Sequence, residues 1–143
     1  MNIIYLHTSL RKCGPTSQLL ALLSRPKKSI DYHLFLVNKI NIENLKNGDI
    51  NIINSLSNLL RLIGKINNKK YIIHSSGILP DLILFLVVCF NSKNLKAFST
   101  VRNIPWEDYV YRFSFLGYLL SYLHLLFLRK LNIICCSYTV YEK

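Results

Sequence analysis

Short runs of β-branched and aromatic residues alternate along the chain with longer segments whose apolar residues recur every three or four positions. This alternation is typical of strand–helix–strand units around a parallel sheet. The strands are predicted at residues 3–7, 33–37, 71–75, 97–101 and 133–137. Four helices are predicted between them, and a further helix begins after the last strand.

The first predicted helix begins at Pro15, behind Gly14, because a proline lacks only an N–H that would be unpaired there. Its inward stripe is Leu19, Leu20 and Leu23, and it is expected to end near Pro26. Residues 52–66 give the clearest amphipathic helix, with Ile52, Leu56, Leu59, Ile63 and Ile66 on one face. Residues 38–49 are rich in Asn and are predicted to be an irregular surface link.

The third helix is predicted to open at Pro80 and Asp81, where the helix N-terminus favours a carboxylate. It continues through Phe90 and is apolar on nearly every side. A long fourth helix is predicted over residues 109–130. The elements together predict an α/β fold, a single Rossmann-like three-layer α/β/α domain over residues 1–143 with a mainly parallel sheet of about five strands.

Charge and hydropathy narrow the classes of partner. Eighteen Lys and Arg against seven Asp and Glu give a net charge of +11, which attracts phosphate in nucleotides or anionic lipids. No basic run reaches five residues, so we predict no nucleic-acid partner. The mean hydropathy of +0.26 indicates apolar surface for a partner or a bilayer. We predict that the four cysteines are core residues in a reducing cytoplasm, with no metal-ligand spacing.

The longest apolar tract, residues 113–128, is shorter than the roughly 20 residues that span a bilayer. We therefore predict no transmembrane helix and no signal peptide. The tyrosines and basic residues of this tract and its flanks are Tyr109, Tyr111, Arg112, Tyr118, Tyr122, Arg129 and Lys130. A helix of this kind either lies in a membrane interface or packs on the sheet.

Polar residues gather after the predicted strands, whose carboxyl ends share one edge of a parallel sheet. Arg11, Lys12 and Gly14 precede a helix start that could hold a phosphate, although a plain turn explains them too. His74 lies near the end of the third strand and Ser76 just after it; His74 is either a ligand-binding group or a buried imidazole, and Gly77 serves the turn. Neither a dinucleotide nor a Walker glycine pattern is present.

The segment "STVRNIPWEDYVYRF", residues 99–113, carries the strongest signal of these loops. Arg102 offers a guanidinium fork for phosphate or carboxylate, and Asn103 can donate and accept. Trp106 offers a flat face to a sugar ring. Glu107 is a candidate acceptor-binding residue. The alternatives are a structural ion pair for Arg102 and helix capping for Glu107 and Asp108.

The chain resembles the N-terminal half of a family-four glycosyltransferase of the GT-B architecture, over essentially all its residues. The matching segments are "MNIIYLHTSLRKCGPTSQLLALL", the H-S-x-G-x-x-P-D pattern of "YIIHSSGILPDLILFL", "STVRNIPWEDYVYRF" and "LHLLFLRKLNIICCSYTV". The resemblance implies retaining transfer of a sugar from a nucleotide-sugar to an acceptor, without a bound metal or cofactor. By position, Gly14, Pro15 and Thr16 match a turn near the donor diphosphate. Arg102 stands where many members have a histidine, so that histidine's role is not carried over.

The resemblance further implies that a C-terminal domain or a separate partner chain completes the cleft. The expected function is acceptor-side glycosyl transfer, with Arg102 as the candidate catalytic residue and His74, Ser76, Asn103, Trp106 and Glu107 as candidate acceptor-binding residues. The expected acceptor is a saccharide or a lipid-linked sugar in cell-envelope polysaccharide or glycolipid synthesis. The expected location is cytoplasmic, peripheral at the inner face of the membrane. The alternative is a non-catalytic Rossmann-like remnant that binds a membrane or a partner protein.

Overall fold

The computed structural model describes residues 1–10, 14–24, 29–38, 50–53, 55–65, 71–90 and 95–142. Six parallel strands form one open sheet in the order β3-β2-β1-β4-β5-β6. The strands are β1 (Asn2–His7), β2 (Asp31–Leu36), β3 (Ile50–Ile53), β4 (Tyr71–Ser76), β5 (Leu95–Val101) and β6 (Asn132–Cys135). The helices are α1 (Gly14–Leu23), α2 (Leu56–Lys65), α3 (Ile78–Phe90), α4 (Pro105–Phe113), α5 (Phe115–Leu128) and α6 (Tyr138–Glu142).

Helices cover both faces of the sheet, so the predicted Rossmann-like α/β fold is confirmed. On one face, α2, α3 and α5 contribute Leu59, Ile63, Leu84 and Leu128 to the larger apolar cluster. On the other face, α1 packs Leu19 and Leu23 against β2, and Leu20 is partly buried beside them. The inward stripe predicted for the first helix is therefore confirmed.

The sheet has a sixth strand that the sequence did not predict. Ile52 was expected on the amphipathic helix, but it belongs to β3, which pairs in parallel with β2. The β-branched run Ile50–Ile53 extends the edge of the sheet. Helix α2 therefore begins only at Leu56, which is exposed, and its buried stripe reduces to Leu59 and Ile63. Ile66, Pro26, Cys13 and almost all of the link at 38–49 lie outside the described residues.

The prediction of one long helix over residues 109–130 is wrong, because two helices, α4 and α5, occupy this region. The chain turns at Ser114, where φ is +48°, between α4 and α5. Gly117 lies so close to α4 that a Cβ there would stand 2.2 Å from the Tyr109 carbonyl oxygen. The pair is thus a tightly packed helical hairpin, and the missing side chain of Gly117 permits it.

Three smaller predictions are corrected or refined. Helix α3 begins at Ile78, two residues before Pro80, and Asp81 lies in its first turn as predicted, where it is fully buried. Cys89 and Cys136 are exposed and Cys135 is half-buried, so they are not core residues. The helix expected after the last strand is α6. Within the described ranges, no helix combines the length and apolar character needed to cross a membrane.

Candidate functional site

The main cleft lies where the direction of the chain connections reverses. Strands β1 and β4 are neighbours, but α1 follows β1 onto one face and α3 follows β4 onto the other. A crevice opens at the carboxyl ends of such a pair and is the usual ligand position in doubly wound sheets. The cleft has a volume of about 370 Å³, within the range of small-molecule sites.

Three strand ends and two helices, α4 and α5, build the walls of this cleft. The first wall is His7, Thr8 and Ser9 at the end of β1, and the second is Ser76 with Gly77 after β4. Gly77 has φ of +103°, and a Cβ there would lie 3.3 Å from Thr8 Oγ1. Only glycine adopts this turn without strain, so the turn-forming role predicted for Gly77 agrees with its geometry.

Arg102 and Asn103, at the end of β5, line the cleft opposite the α4 residues Asp108, Tyr109 and Arg112. Asp108 Oδ1 accepts a hydrogen bond from Arg112 Nε at 3.0 Å, so this carboxylate pairs with Arg112. Among the described residues, Arg102 makes no ion pair. The structural ion pair considered for Arg102 is therefore not found within the described ranges.

His7 is a site residue that the sequence did not single out. Its side chain is 7% exposed, and its Nδ1 lies 2.9 Å from the Ser9 carbonyl oxygen, so Nδ1 carries the proton. Burial lowers the pKa of His7, and the positive charge of Arg102 lowers it further, against the opposing effect of the bond to Ser9. A neutral imidazole therefore lines the cleft at neutral pH. The position of His7 at the end of the first predicted strand was the one feature of the sequence that could have identified it as a site residue.

A buried polar network holds α4 to the sheet behind the cleft. Asp81 Oδ1 accepts hydrogen bonds from the hydroxyls of Ser75 and Ser99, the second at 2.7 Å. Asp81 Oδ2 lies 2.7 Å from His124 Nε2, and His124 Nδ1 lies 2.9 Å from the Tyr109 hydroxyl. The network thus joins β4, β5, α3, α4 and α5. The sequence offered no local signal for it, because Asp81 and His124 are 43 residues apart.

Tyr109 and His124 are the members of this network that line the cleft. Burial raises the pKa of Tyr109 to about 12, and the negative charges of Asp81 and Asp108 act in the same direction. The phenol therefore stays protonated at neutral pH. It is a fixed hydrogen-bonding group in the cleft wall and not a base.

The predicted site residues are only partly brought together. Arg102, Asn103 and Ser76 line the main cleft. His74 lies in an adjoining groove on the α1 side of the sheet, which Ser76 and Arg102 also line. Glu107 lies with Arg102 and Asn103 around a third depression beside α6. Arg102 thus stands where all three meet.

Two candidates, His74 and Trp106, are not among the described residues that line the main cleft. His74 Nε2 bonds to Thr100 Oγ1 at 2.5 Å and its ring packs edge-on against Tyr5. Burial lowers the pKa of His74, with Arg102 and His7 adding to that effect against the opposing charge of Asp81. Trp106 is half-exposed and packs on Tyr118 with ring centroids 4.4 Å apart. It does not line these three cavities as far as the described residues define them.

The predicted phosphate turn lies behind the cleft wall. Gly14 and Pro15 form the start of α1, and Thr16 is buried, with its Oγ1 3.4 Å from the Ser9 carbonyl oxygen. That carbonyl also holds His7. Arg11 and Lys12 lie outside the described residues. In the part of the chain that is described, no three potential metal ligands cluster. Comparison of the chain with protein-family models, curated proteins and solved structures finds no match in any of the three.

Proposed function

We propose that this domain forms the acceptor side of a sugar transferase that uses a nucleotide-sugar as donor. The observation that carries the proposal is a cleft at the reversal point of the sheet, lined by Arg102, a cation that makes no ion pair with the described part of the chain. Negative charge develops on the leaving diphosphate as the bond from its oxygen to the anomeric carbon breaks. A guanidinium placed there stabilises that charge and is the candidate catalytic group.

The acceptor in this proposal is a saccharide or a lipid-linked sugar, held by polar groups of the cleft. Ser76, Asn103 and His7 supply donors and acceptors at the strand ends. The reaction needs two substrates held together. A C-terminal domain or a separate partner chain is proposed to bind the rest of the donor above this cleft. The exposed apolar surface of α5 supports a peripheral position at the inner face of the cell membrane.

The test is a titration of the 143-residue chain with nucleotide-sugars. Binding is detected through changes in the amide chemical shifts of its NMR spectra. The probes are UDP-glucose, UDP-N-acetylglucosamine and GDP-mannose, each titrated separately. We expect shifts at residues 7–9, 76–77 and 100–103 for at least one probe. Arg102→Ala should weaken that binding by about tenfold or more, because a hydrogen bond to a charged group contributes about 1.5–3 kcal/mol.

The matched control is Arg61→Ala, which removes the same charge from an exposed position on α2. It should leave the affinity of the probe unchanged. If none of the three probes shifts cleft resonances, or if both variants weaken binding equally, the transferase proposal is wrong.

A second candidate function is favoured by one specific observation, the apolar side chains exposed on α5. In this alternative the domain is a non-catalytic module that binds a membrane or a partner protein. Co-sedimentation with anionic vesicles, together with no nucleotide-sugar binding, would favour it. Binding of both vesicles and a nucleotide-sugar would favour the transferase.

A further inference from the structure

Two buried nitrogen atoms of cleft residues lack a hydrogen-bond partner among the described residues. They are His7 Nε2 and Arg102 Nε, from the ends of β1 and β5. A buried polar atom without a partner costs about 1–3 kcal/mol. Two such atoms on residues lining one cleft therefore indicate a group that is held there.

The two nitrogen atoms have opposite hydrogen-bonding character. His7 Nδ1 uses its proton on the Ser9 carbonyl oxygen at 2.9 Å, so Nε2 of the neutral ring presents a lone pair. Arg102 Nε always carries a proton and can only donate. The two side chains are close enough to interact electrostatically. A single partner of both atoms would have to donate to His7 Nε2 and accept from Arg102 Nε.

We propose that His7 Nε2 and Arg102 Nε together bind one hydroxyl group of the saccharide acceptor. The proposal rests on the proposed function and adds His7 to its acceptor site. A hydroxyl meets the requirement because it donates and accepts through one oxygen atom. A phosphate oxygen lacking a proton only accepts, and an ammonium group only donates. Arg102 keeps its terminal N–H groups for the donor diphosphate.

Binding of this kind requires His7 to be neutral. Protonation would turn Nε2 into a second donor facing a guanidinium. The pKa of His7 lies below its ordinary value of 6.5, chiefly through burial, so the neutral form holds at pH 7. Saccharide binding should be constant above pH 6.5 and should fall as the pH drops through the lowered pKa. Charged and titratable groups around His7 are His74, Arg102, Asp108, Tyr109, Arg112 and His124.

The test compares two substitutions that each keep one half of the imidazole. In His7→Asn, the side-chain amide can still donate to Ser9 but nothing reaches the Nε2 position. In His7→Gln, the amide oxygen can accept at the Nε2 position, and the donor to Ser9 is lost. The probe is methyl α-D-glucopyranoside, and its dissociation constant is measured by NMR titration at pH 7.5.

We expect His7→Asn to weaken glucoside binding about tenfold and His7→Gln to stay within about threefold of the wild type. The wild-type ¹⁵N signal of His7 Nε2 should shift when the glucoside binds. The proposal is overturned if the asparagine variant binds like the wild type, if both variants lose binding equally, or if the wild type does not bind the glucoside. Urea unfolding of each variant establishes that it is folded.

Nucleotide-sugar titrations of the same variants separate this proposal from the proposed function. If a nucleotide-sugar binds through Arg102 but the asparagine and glutamine variants of His7 bind the glucoside equally, the proposed role of His7 is wrong and the transferase proposal stands. If the two variants differ clearly in glucoside affinity but no nucleotide-sugar binds, the hydroxyl site stands and the transferase proposal is wrong.

Discussion

Helices α2 and α5 contribute to the same apolar cluster, yet their two sides are arranged in opposite ways. Helix α2 buries Leu59 and Ile63, and its exposed side carries Ser57, Asn58, Arg61 and Lys65 beside Leu56 and Leu60. Helix α5 buries Gly117, Ser121 and His124 along with Leu128. Its outer side, which we call the α5 outer surface, consists of the exposed side chains Phe115, Leu116, Tyr118, Leu119, Tyr122, Leu123 and Leu125.

The difference shows that the buried side of a helix is set by what it meets, and not only by its apolar residues. Helix α2 meets the apolar edge of the sheet. Helix α5 meets the Asp81 carboxylate and the backbone of α4, so a histidine, a serine and a glycine fit its inner side. Its apolar residues are left outside, and such a surface is typical of a docking site.

The largest expected effect comes from making the inner side of α5 more apolar. His124→Leu removes the Nε2 partner of Asp81 Oδ2, and both side chains are almost fully buried. Leaving a buried charge without its partner costs about 3–5 kcal/mol. We expect the free energy of unfolding to fall by that amount in urea titrations followed by circular dichroism.

Two variants control this result. His124→Gln can still donate to Asp81 and should recover part of the lost stability. Tyr122→Leu, on the exposed side of the same helix, should change stability by less than about 0.5 kcal/mol. A His124→Leu protein as stable as the wild type would show that the network does not determine how α5 packs.

The second prediction exchanges leucine for alanine on each helix. Leu59 is fully buried and Leu119 is 56% exposed. Leu59→Ala should cost about 3 kcal/mol, because it leaves a cavity in the larger cluster. Leu119→Ala should cost less than about 0.5 kcal/mol in the same urea titration. Equal losses would mean that the α5 outer surface is covered within the folded chain.

Most of the fold could be predicted because its strands are β-branched runs separated by helical periodicity. All five predicted strands are present, within two residues at each end. Strand β3 was missed because Ile52 also fits the apolar period of the helix that follows. The break at Ser114 was missed because neither proline nor glycine marks it, and its cause is the close approach of Gly117 to α4.

The site could be predicted only where its residues lie at strand ends. Arg102, Asn103 and Ser76 come together because parallel strands end at one edge. Trp106 faces Tyr118 because α4 begins at Pro105 and rotates the indole onto α5. The network of Asp81, His124 and Tyr109 needs three helices in place, so no local pattern encodes it.

The third prediction concerns the single glycine of α2, Gly64, and the single glycine of α5, Gly117. A Cβ at Gly117 would overlap the backbone of Tyr109, whereas a Cβ at Gly64 would meet nothing within 4 Å. Gly117→Ala should therefore destabilise the protein by about 1–3 kcal/mol by forcing α4 and α5 apart. Gly64→Ala should stabilise it by about 0.4–1 kcal/mol. Thermal and urea unfolding check both, and equal effects would contradict the close packing of the hairpin.

The smallest effect tests what the α5 outer surface is for. Leu119→Asp and Leu60→Asp are matched, because the wild-type leucines are 56% and 53% exposed and each variant adds one negative charge. Burying a leucine side chain contributes about 1.5–3 kcal/mol, so losing part of that should lower partitioning into phosphatidylglycerol vesicles about tenfold for Leu119→Asp. Leu60→Asp, on the polar side of α2, should lower it only slightly, through charge alone, and less so at high salt. If co-sedimentation falls equally for both variants, the attraction is purely electrostatic and the α5 outer surface faces a protein instead of a bilayer.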